Sequence, residues 1–472
     1  MGHWFGLCRS FWRARNGRRL TRDKHRFMPT TIPITPIRDK PPHQQPLDAQ
    51  ALRKLVDFER GSIDRRLYWD DEIYRLELER IFARTWLFVA HESQVTNYGD
   101  FLTTFMGEDG VIVTRAQDGK VNVFLNSCTH RGNKICLAEA GNKRRFTCNY
   151  HGWTFDSAGS LVGLPQEELY KNTCKDFDKT QLGIRKARVE SYKGLVFATF
   201  NEEAENLEQF LGDYRWYLDI LLDNDEGGTE FLPGNIKSRM QCNWKYPSEN
   251  FAGDSYHAAW THNSGAVALF GQGVAKSDQS KAYQANMNGH GWQFGLDMIG
   301  NAMVLGEQDI LDYLKENEAK VALRLGKLRS RMIGSISSAN LFPHTSFLPG
   351  QNTFRTWHPK GPSQIELHTW VLVNKSAPEA LKEMYMRGVM RSFSPSGVLE
   401  MDDGDNWENA TATNQGVVTR QQKLHYGLGM DSRIEHEELK GNVHLRKYND
   451  SNQLAFYRKW LELMCEEGSA QP

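Results

Sequence analysis

Two short segments that each pair a cysteine with a histidine constrain this chain more than any other feature. Cys128-Thr129-His130 and Cys148-Asn149-Tyr150-His151 place one thiolate and one imidazole in each of two neighbouring loops. Such side chains are good ligands for a transition metal, and all four can reach one centre only if the two loops fold against each other. This part of the chain must therefore form a compact unit around a metal.

The ligand set admits two interpretations. Two Cys on one iron and two His on the other hold a [2Fe–2S] cluster of the Rieske type, which carries one electron at a time. Cys₂His₂ is also a common structural zinc set. Zinc fingers usually pair Cys with Cys and His with His, whereas each loop here supplies one of each. The spacing therefore favours the Rieske cluster.

A second candidate metal site lies in residues 250–262, which include Asp254, His257 and His262 in a sequence typical of a helix. Two His and one carboxylate suggest a facial triad, which leaves positions on a ferrous ion open for oxygen chemistry. The two histidines are five residues apart, which is about 140° out of phase on a regular helix. We therefore predict a π-bulge or a break between them, because such defects concentrate at functional sites.

An ordinary amphipathic helix is the alternative interpretation of residues 250–262. A random pair of histidines at this spacing is more often two polar residues on such a helix than a pair of ligands. A redox cluster beside an oxygen-activating iron makes a coherent enzyme, however, and this context favours the metal site.

The chain also resembles a known family, the large (α) subunits of aromatic-ring-hydroxylating Rieske dioxygenases of the biphenyl, naphthalene and polycyclic-hydrocarbon type. The resemblance covers nearly everything after Met28. Its matching segments are Leu76-Glu77-Leu78-Glu79-Arg80-Ile81-Phe82, Cys128-Thr129-His130-Arg131-Gly132, Cys148-Asn149-Tyr150-His151-Gly152-Trp153 and Met401-Asp402-Asp403-Gly404-Asp405-Asn406-Trp407.

The resemblance implies two metal cofactors, a [2Fe–2S] Rieske cluster and one mononuclear non-heme Fe(II). The implied cluster ligands are Cys128, His130, Cys148 and His151. The implied iron ligands are His257, His262 and Asp403. In the family the carboxylate ligand is the second acid of the pair that follows a Phe-x-x-x-Gly stretch, here Phe393 to Gly397. Asp402 is the rival for this role.

Asp254 resembles the family's bridging carboxylate, which we expect to be catalytically important. In the family it hydrogen-bonds an iron-ligating His and a cluster His of a neighbouring α chain, and His257 and His151 correspond to these partners. The resemblance therefore implies an obligate oligomer with a small β subunit, as α₃β₃, because the two metal centres of one chain lie too far apart in the family.

Six residues are expected, from their position in the family, to line the substrate cavity. They are Asn250, Phe251, Ala258, Phe393, Leu399 and Trp407. Most are apolar, which suits a hydrocarbon. Some relatives have a bulkier residue in place of Leu399 and a smaller one in place of Trp407, so the substrate preference is open.

The implied activity is that of a terminal oxygenase component, which cis-dihydroxylates an aromatic hydrocarbon with O₂ and with electrons from NADH delivered by a ferredoxin and a reductase. We find no convincing GxGxxG after a strand, so a fused reductase is not expected. Two other classes stay open, a Rieske monooxygenase or demethylase and a non-enzymatic Rieske electron carrier. Oxygen labelling and iron counting distinguish them.

The expected fold class is α+β, with a mostly-β Rieske domain of residues 85–205 inserted in a catalytic domain. Residues 28–84 and 206–472 would form that catalytic domain, an antiparallel sheet covered by helices in a helix-grip-like arrangement. Residue composition predicts strands and one helix within these domains. The strands are 111–115, 121–125, 195–200, 353–358 and 364–374, and the helix is 71–86.

Residues 271–295 are rich in Gly, Ser, Gln and Asn and form a stretch too long for an ordinary connector. Long loops in compact domains are often lids. We therefore expect this segment to flank the entrance to the iron pocket, with His290 in a structural role.

Composition limits the remaining possibilities. The chain has 58 basic and 58 acidic residues, and nothing after residue 27 suggests a nucleic-acid footprint. No apolar run is long enough to span a membrane. Besides the two cluster cysteines there is an odd number at irregular spacing, which suits reduced thiols in a cytoplasm. Residues 1–27 contain eight Lys and Arg; we expect a disordered extension, with a targeting segment, an interaction arm or an upstream start as alternatives.

Overall fold

A large antiparallel sheet in the second half of the chain organises the fold. In this computed structural model the described residues are 47–274, 279–299, 306–335 and 337–466. The predicted basic extension, residues 1–27, lies outside them. The described residues from Leu47 onward belong to one compact unit.

Helices occur throughout the described part of the chain. They are α1 (Ala49–Arg53), α2 (Asp71–Glu77), α3 (Glu167–Thr173), α4 (Leu207–Leu211), α5 (Tyr214–Leu222), α6 (Lys245–Gly253), α7 (Ala258–Thr261), α8 (Asn263–Phe270), α9 (Gln308–Leu325), α10 (Lys327–Ser330), α11 (Glu379–Ser392), α12 (Val398–Asn414) and α13 (Ser451–Cys465).

The strands fall into an early group and a late group. The early strands are β1 (Val56–Asp57), β2 (Ser62–Ile63), β3 (Leu87–His91), β4 (Asp100–Met106), β5 (Asp109–Arg115), β6 (Val121–Leu125), β7 (Ala140–Asn142), β8 (Arg145–Thr147), β9 (Thr154–Asp156), β10 (Leu161–Gly163), β11 (Arg188–Tyr192) and β12 (Leu195–Thr199). The late strands are β13 (Thr229–Phe231), β14 (Ile236–Met240), β15 (Ala282–Met287), β16 (His290–Gly295), β17 (Ser338–Leu341), β18 (Thr345–Leu348), β19 (Thr353–Pro359), β20 (Ile365–Asn374), β21 (Leu424–His425), β22 (Arg433–Ile434) and β23 (Asn442–Leu445).

All the late strands except β21, which pairs with β2, build the large sheet. Its order is β13-β20-β19-β18-β17-β16-β15-β23-β22, and β14 also pairs with β20. Each of these pairings is antiparallel. Helices α6 and α13 pack on one face of this sheet, and α11 contacts β20. This arrangement matches the expected antiparallel sheet covered by helices.

The early strands form small sheets around the two cysteine–histidine loops. Strands β6-β5-β4-β7 form one sheet, β10-β9-β8 a second and β11-β12-β3 a third. The region is mostly β, as expected. A local core that includes Phe101, Phe124, Phe155 and both loop cysteines lies beneath the loops.

Helix α2, which leads into this region, begins at a side-chain cap and ends where a π-helical turn begins. The Asp70 carboxylate caps α2 by accepting from the amides of Glu72 and Ile73. After α2 the chain continues as a π-helical turn, Leu78–Phe82, before β3 begins at Leu87. The helix predicted over residues 71–86 is therefore present but ends earlier.

The predicted strands are confirmed, with small shifts at their ends. They correspond to β5, β6, β12, β19 and β20. Strands β19 and β20 are buried along almost their whole length, although β19 contains the polar residues Arg355 and His358.

The prediction that residues 271–295 form a long loop is wrong. Most of it is a hairpin of β15 and β16, closed by a two-residue turn at Asn288 and Gly289 with φ values of 49° and 81°. An Asn-Gly pair favours this kind of turn, because both residues tolerate positive φ. The hairpin lies inside the large sheet, where the Ser255 hydroxyl donates to the buried Gln293 side chain.

His290 in this hairpin has the structural role expected for it. Its Nε2 lies 3.0 Å from the carbonyl oxygen of Phe210, and its Nδ1 accepts from the amide of Phe342. Burial lowers the pKa of His290 to about 4, so the ring is neutral.

No helix in the described ranges has both the length and the apolar character that crossing a bilayer requires.

Candidate metal centres

The two cysteine–histidine loops use the same backbone turn. In each loop the amide of a glycine donates to the carbonyl of the cysteine four residues earlier, at 2.8 Å for Gly132 to Cys128 and 2.9 Å for Gly152 to Cys148. Both glycines have positive φ, 71° and 74°. Glycine adopts this conformation without steric cost, so the sequence can build the same turn twice.

The turns bring like ligands together. The thiols of Cys128 and Cys148 lie close enough for each to shift the pKa of the other. The rings of His130 and His151 are 4.5 Å apart, centroid to centroid. Both thiols face one position and both imidazoles face another, which fits a [2Fe–2S] cluster with unlike ligands on its two irons.

The two ends of this ligand set differ in exposure. Cys128 and Cys148 are buried, whereas both histidines are half-buried. The ring of His130 stacks on Trp153 at 4.8 Å. Tyr150 lies beside His151 and is 60% exposed. The imidazole end therefore faces the surface.

Hydrogen bonds also distinguish the two thiols. Burial raises the pKa of Cys128. Burial alone would raise the pKa of Cys148 as well, but the backbone amide of Tyr150 and the side-chain amide of Asn133 outweigh it and the pKa is lowered. The Asn133 amide lies 3.6 Å from the Cys148 sulfur, where it can stabilise a thiolate.

The histidines of the second site flank a helix of one turn. Helix α6 ends at Gly253, and the four-residue helix α7 begins after His257 and ends before His262. His262 has φ −95° and ψ 6°, outside the helical region, and α8 starts after it. The predicted break is therefore present, as interrupted helices and not as a π-bulge. The two rings converge, with 3.3 Å between their Nε2 atoms.

Asp403 approaches both rings from α12. Its Oδ1 atom lies 3.3 Å from Nε2 of His257 and 3.3 Å from Nε2 of His262. Asp402 is farther away, since its Oδ2 lies 3.7 Å from Nδ1 of His262. Asp403 is buried and Asp402 is half-buried. Of the two rival acids, Asp403 has the better geometry for a shared metal ion.

This set fits a mononuclear metal. One ligand atom each from His257, His262 and Asp403 lies within 4.8 Å of the other two. Three protein ligands on one side leave the remaining positions of an octahedral ion open, as in the facial triad of ferrous oxygenases.

Asp254 and Asn250 contact His257 from its other side. The Asp254 carboxylate lies 3.3 Å from Nδ1 of His257 and accepts from the backbone amides of Tyr256 and His257. The Asn250 amide lies 3.3 Å from the same Nδ1. Burial alone would lower the pKa of His257, but the Asp254 and Asp403 carboxylates outweigh it and the pKa is raised.

The residues expected to line a cavity come from α6, α7 and α12 and from Phe393, which follows α11. Leu399, Asp403 and Trp407 are spaced four apart on α12, which places them on one face of the helix, and all three are buried. Phe251 of α6 lies 6.4 Å from Trp407, ring centroid to ring centroid. Phe393 is buried, whereas Asn250 and Ala258 are half-buried.

The sequence did not reveal two groups of buried ionisable side chains beside this site. The Arg355 guanidinium of β19 lies 2.9 Å from the Glu400 carboxylate of α12. The Glu249 carboxylate of α6 accepts from the hydroxyls of Tyr426, Tyr457 and Tyr68, which come from distant parts of the chain. Glu400 and Asp403 are three residues apart in a helical sequence, and this spacing was a signal for the first group. No feature of the sequence pointed to Glu249.

Comparisons with known proteins agree with this geometry. Residues 207–460 match the family described as ring hydroxylating alpha subunit (catalytic domain), and residues 85–177 match the Rieske [2Fe-2S] domain. The catalytic-domain match includes the second site, and the Rieske match includes both loops.

Individual relatives cover nearly the whole chain. The biphenyl dioxygenase subunit alpha of Metapseudomonas furukawaii is 41% identical over 88% of this chain and 94% of its own. The benzene 1,2-dioxygenase subunit alpha of Pseudomonas putida is 39% identical over 88% of this chain and 93% of its own. A solved structure of naphthalene 1,2-dioxygenase with indole in its active site has a TM-score of 0.82 at 32% identity, over 88% of this chain and 95% of the other.

Proposed function

The chain belongs to the alpha subunits of aromatic-ring-hydroxylating dioxygenases, and from that premise we propose that it cis-dihydroxylates an uncharged aromatic hydrocarbon. The enzyme is an oxidoreductase with a [2Fe–2S] Rieske cluster and a mononuclear non-heme iron. The proposed reaction adds both atoms of O₂ to one face of an arene ring. Two electrons and two protons balance it, and the product is a cis-dihydrodiol.

One observation carries this proposal. Asp403, which completes the open set with His257 and His262, lies on the same face of α12 as the buried apolar side chains of Leu399 and Trp407. Phe251 and Phe393 add aromatic surface from two other segments. A substrate held there would contact carbon atoms for the most part, which suits a hydrocarbon.

The proposed residue roles follow from the same geometry. We assign Cys128, His130, Cys148 and His151 to the cluster, and His257, His262 and Asp403 to the mononuclear iron. When bound, the cluster supplies single electrons and the iron supplies oxygen activation beside the substrate. Asp254 orients the His257 ring through Nδ1, and Asn250 contacts the same atom.

The pocket assignment is also part of the proposal. Asn250, Phe251, Ala258, Phe393, Leu399 and Trp407 would line the cavity. The relatives named above act on benzene, biphenyl and naphthalene according to their names. We propose that this enzyme accepts a hydrocarbon of one to three rings.

The relatives are subunits of multicomponent enzymes, so this chain works with other proteins. We propose an α₃β₃ assembly with a small β subunit, and electrons from NADH through a reductase and a ferredoxin. Within it, Asp254 would connect His257 to His151 of a neighbouring α chain. We also propose that residues 85–205 form the cluster domain, inserted between residues 28–84 and 206–472 of the catalytic domain.

The test is conversion of a panel of benzene, biphenyl, naphthalene and phenanthrene by cells that contain the β subunit and the electron-transfer proteins. We expect cis-diols whose two oxygens both come from labelled O₂. One labelled oxygen per product would show a monooxygenase instead. Iron analysis provides the second criterion, because the proposed enzyme holds about three irons per two sulfides, whereas an electron carrier would hold two.

A further inference from the structure

A buried ion pair lies directly behind the candidate iron site. Nη2 of Arg355 on β19 is 2.9 Å from Oε2 of Glu400 on α12, and both side chains are 0–1% exposed. Burying such a pair is expensive, and replacing it by apolar residues is often neutral or stabilising. Stability alone is therefore a weak reason for its presence in this core.

The guanidinium is enclosed by aromatic rings. Its carbon lies 4.9 Å from the ring centroid of Phe251, 5.3 Å from that of Phe393 and 5.9 Å from that of Trp357. Among the described residues, Nε and Nη1 have no hydrogen-bond partner. A cation over ring faces is stabilised by their quadrupoles, so Arg355 fixes the positions of these rings. Phe251 and Phe393 belong to the proposed pocket.

The carboxylate of the pair is linked to the iron site through α12. Glu400 precedes Asp403 by three residues, so the two side chains lie on neighbouring positions of one helix face. Arg355 interacts electrostatically with both carboxylates, more strongly with Glu400 than with Asp403. Arg355 stays protonated, so it is a buried cation that could compete with a metal ion for Asp403.

We propose that Arg355 and Glu400 are a positioning pair for the iron site. Glu400 neutralises the guanidinium, so the Asp403 carboxylate stays available to the iron. Arg355 in turn holds the rings of Phe251 and Phe393 in the pocket wall. Neither residue contacts the reacting atoms, and the proposal rests on the assignment of Asp403 as an iron ligand.

The proposal predicts different effects for substitutions of Glu400 and of Arg355. Glu400→Gln leaves the guanidinium without its partner, so Asp403 pairs with it and the affinity for Fe(II) falls about 10- to 100-fold, the usual effect of losing a residue that supports a metal ligand. Arg355→Met with Glu400→Gln removes both charges and restores the affinity. Arg355→Met, alone or combined with Glu400→Gln, shifts the ratio of regioisomeric diols, because the rings lose their fixed neighbour.

The experiment uses the holoenzyme with its partner subunits. Mononuclear iron is removed with a chelator, and Fe(II) is titrated back while sulfide content and cluster absorbance record an intact cluster. Diol ratios are measured with a biaryl substrate. Arg239→Met is the matched control, since Arg239 pairs with Glu366 at 3.2 Å between two strands but is 70% exposed. It should change neither the Fe(II) affinity nor the diol ratio.

The outcomes separate this inference from the proposed function. Unchanged Fe(II) affinity in Glu400→Gln overturns the inference, and so does loss of affinity that the double variant fails to restore. If Glu400→Gln alone does not fold, weak Fe(II) binding by the double variant still overturns it. Full iron retention in Asp403→Ala would instead remove Asp403 from the site and with it the proposed function.

Discussion

Asp402 and Asp403 are neighbours in the chain, but only one is placed to share a metal with both histidines. Asp403 has a carboxylate oxygen 3.3 Å from each Nε2 atom, and it is 5% exposed. The Asp402 carboxylate lies near Nδ1 of His262 and not near Nε2, and its side chain is 30% exposed. A helix turns each residue by about 100°, so adjacent acids on α12 cannot both point to the same ion.

The first prediction concerns this choice between the two acids. Asp403→Ala should remove mononuclear iron and activity, and it should leave the absorbance and EPR spectrum of the cluster unchanged. Asp402→Ala is the matched control and should keep its iron. Iron-to-sulfide ratios of the purified assemblies measure both effects. Iron loss only in the Asp402 variant would reverse the assignment.

Burial dominates the pKa of Glu249, although its carboxylate accepts several hydrogen bonds. Three tyrosine hydroxyls donate to its carboxylate, which lowers the pKa, but burial outweighs them and raises the pKa to about 8. The folded protein therefore keeps a proton on Glu249 between about pH 4.5 and pH 8, where the unfolded chain releases it. Because the native state binds more protons in this window, the contribution of Glu249 to stability is lost as the pH rises through it.

The second prediction follows from that sign. Glu249→Gln should flatten the pH dependence of the free energy of unfolding between pH 5 and pH 8, so that the variant gains stability relative to the unmodified enzyme at pH 8. Denaturant unfolding at both pH values measures this difference. A variant with the same slope as the unmodified enzyme would show that Glu249 is ionised in the folded state.

At the scale of elements, one carboxylate ties three helices together. Glu77 at the end of α2 accepts from the ammonium of Lys245 at 2.6 Å and from the indoles of Trp244 and Trp460 at 2.8 Å. Lys245 and Glu77 are fully buried. The group joins α2, α6 and α13, and α6 leads directly to His257 and His262, the proposed iron ligands.

The third prediction tests this junction. Lys245→Met leaves the Glu77 carboxylate buried without a countercharge and should destabilise the fold by about 3–5 kcal/mol. Lys245→Met with Glu77→Gln should recover most of that loss, as measured by denaturant unfolding. Lys171→Met is the control, because Lys171 pairs with Glu168 on an exposed surface, and it should have no measurable effect. A mild effect of the single buried change would contradict the prediction.

The elements differ in how far their sequences predict them. Strands β5, β6, β19 and β20 have β-branched and aromatic residues and were found from composition. The hairpin of β15 and β16 was missed because Gln284, Asn286, His290 and Gln293 are polar yet buried. Their side-chain partners are distant in sequence, and composition cannot show them. The Asn288-Gly289 turn was the one local signal for this hairpin.

The same limit applies to the metal sites. The cluster loops are local, so the spacing of their ligands is visible in one short segment. Asp403 is far from His257 in the chain and was reached only through resemblance to the family. The resemblance to the family did not indicate the Arg355–Glu400 pair, because the pairing depends on which strand faces α12.

At the scale of the whole molecule, both metal sites lie beside exposed aromatic side chains. Tyr150, next to the cluster histidine, is 60% exposed, and Tyr256 and Trp260, next to His257, are 59% and 82% exposed. Large apolar side chains grouped at a surface often mark contacts between proteins. This distribution supports the proposed contact between the cluster end of one α chain and the iron end of another.

The fourth prediction tests electron transfer across that contact. Asp254→Ala should keep both metals but slow single-turnover reoxidation of the cluster strongly. Cys148→Ser should lose the cluster. Mixed assemblies of the two variants should recover part of the activity, because an intact cluster in one chain then faces an intact Asp254 in its neighbour. Asp405→Asn, an exposed change on α12, serves as the control. Inactive mixed assemblies would place the route within one chain.

The interrupted helices and the distant acid have a consequence for how the enzyme matures. The cluster loops need only their own small sheets to close, whereas the iron pocket requires α12 to bring Asp403 to the two histidines that flank α7. Biogenesis should therefore load sulfide-bridged iron first and the single ferrous ion last. Under iron starvation, the protein that accumulates should contain the cluster, and so be brown, but should be inactive. Addition of ferrous salt alone should activate it.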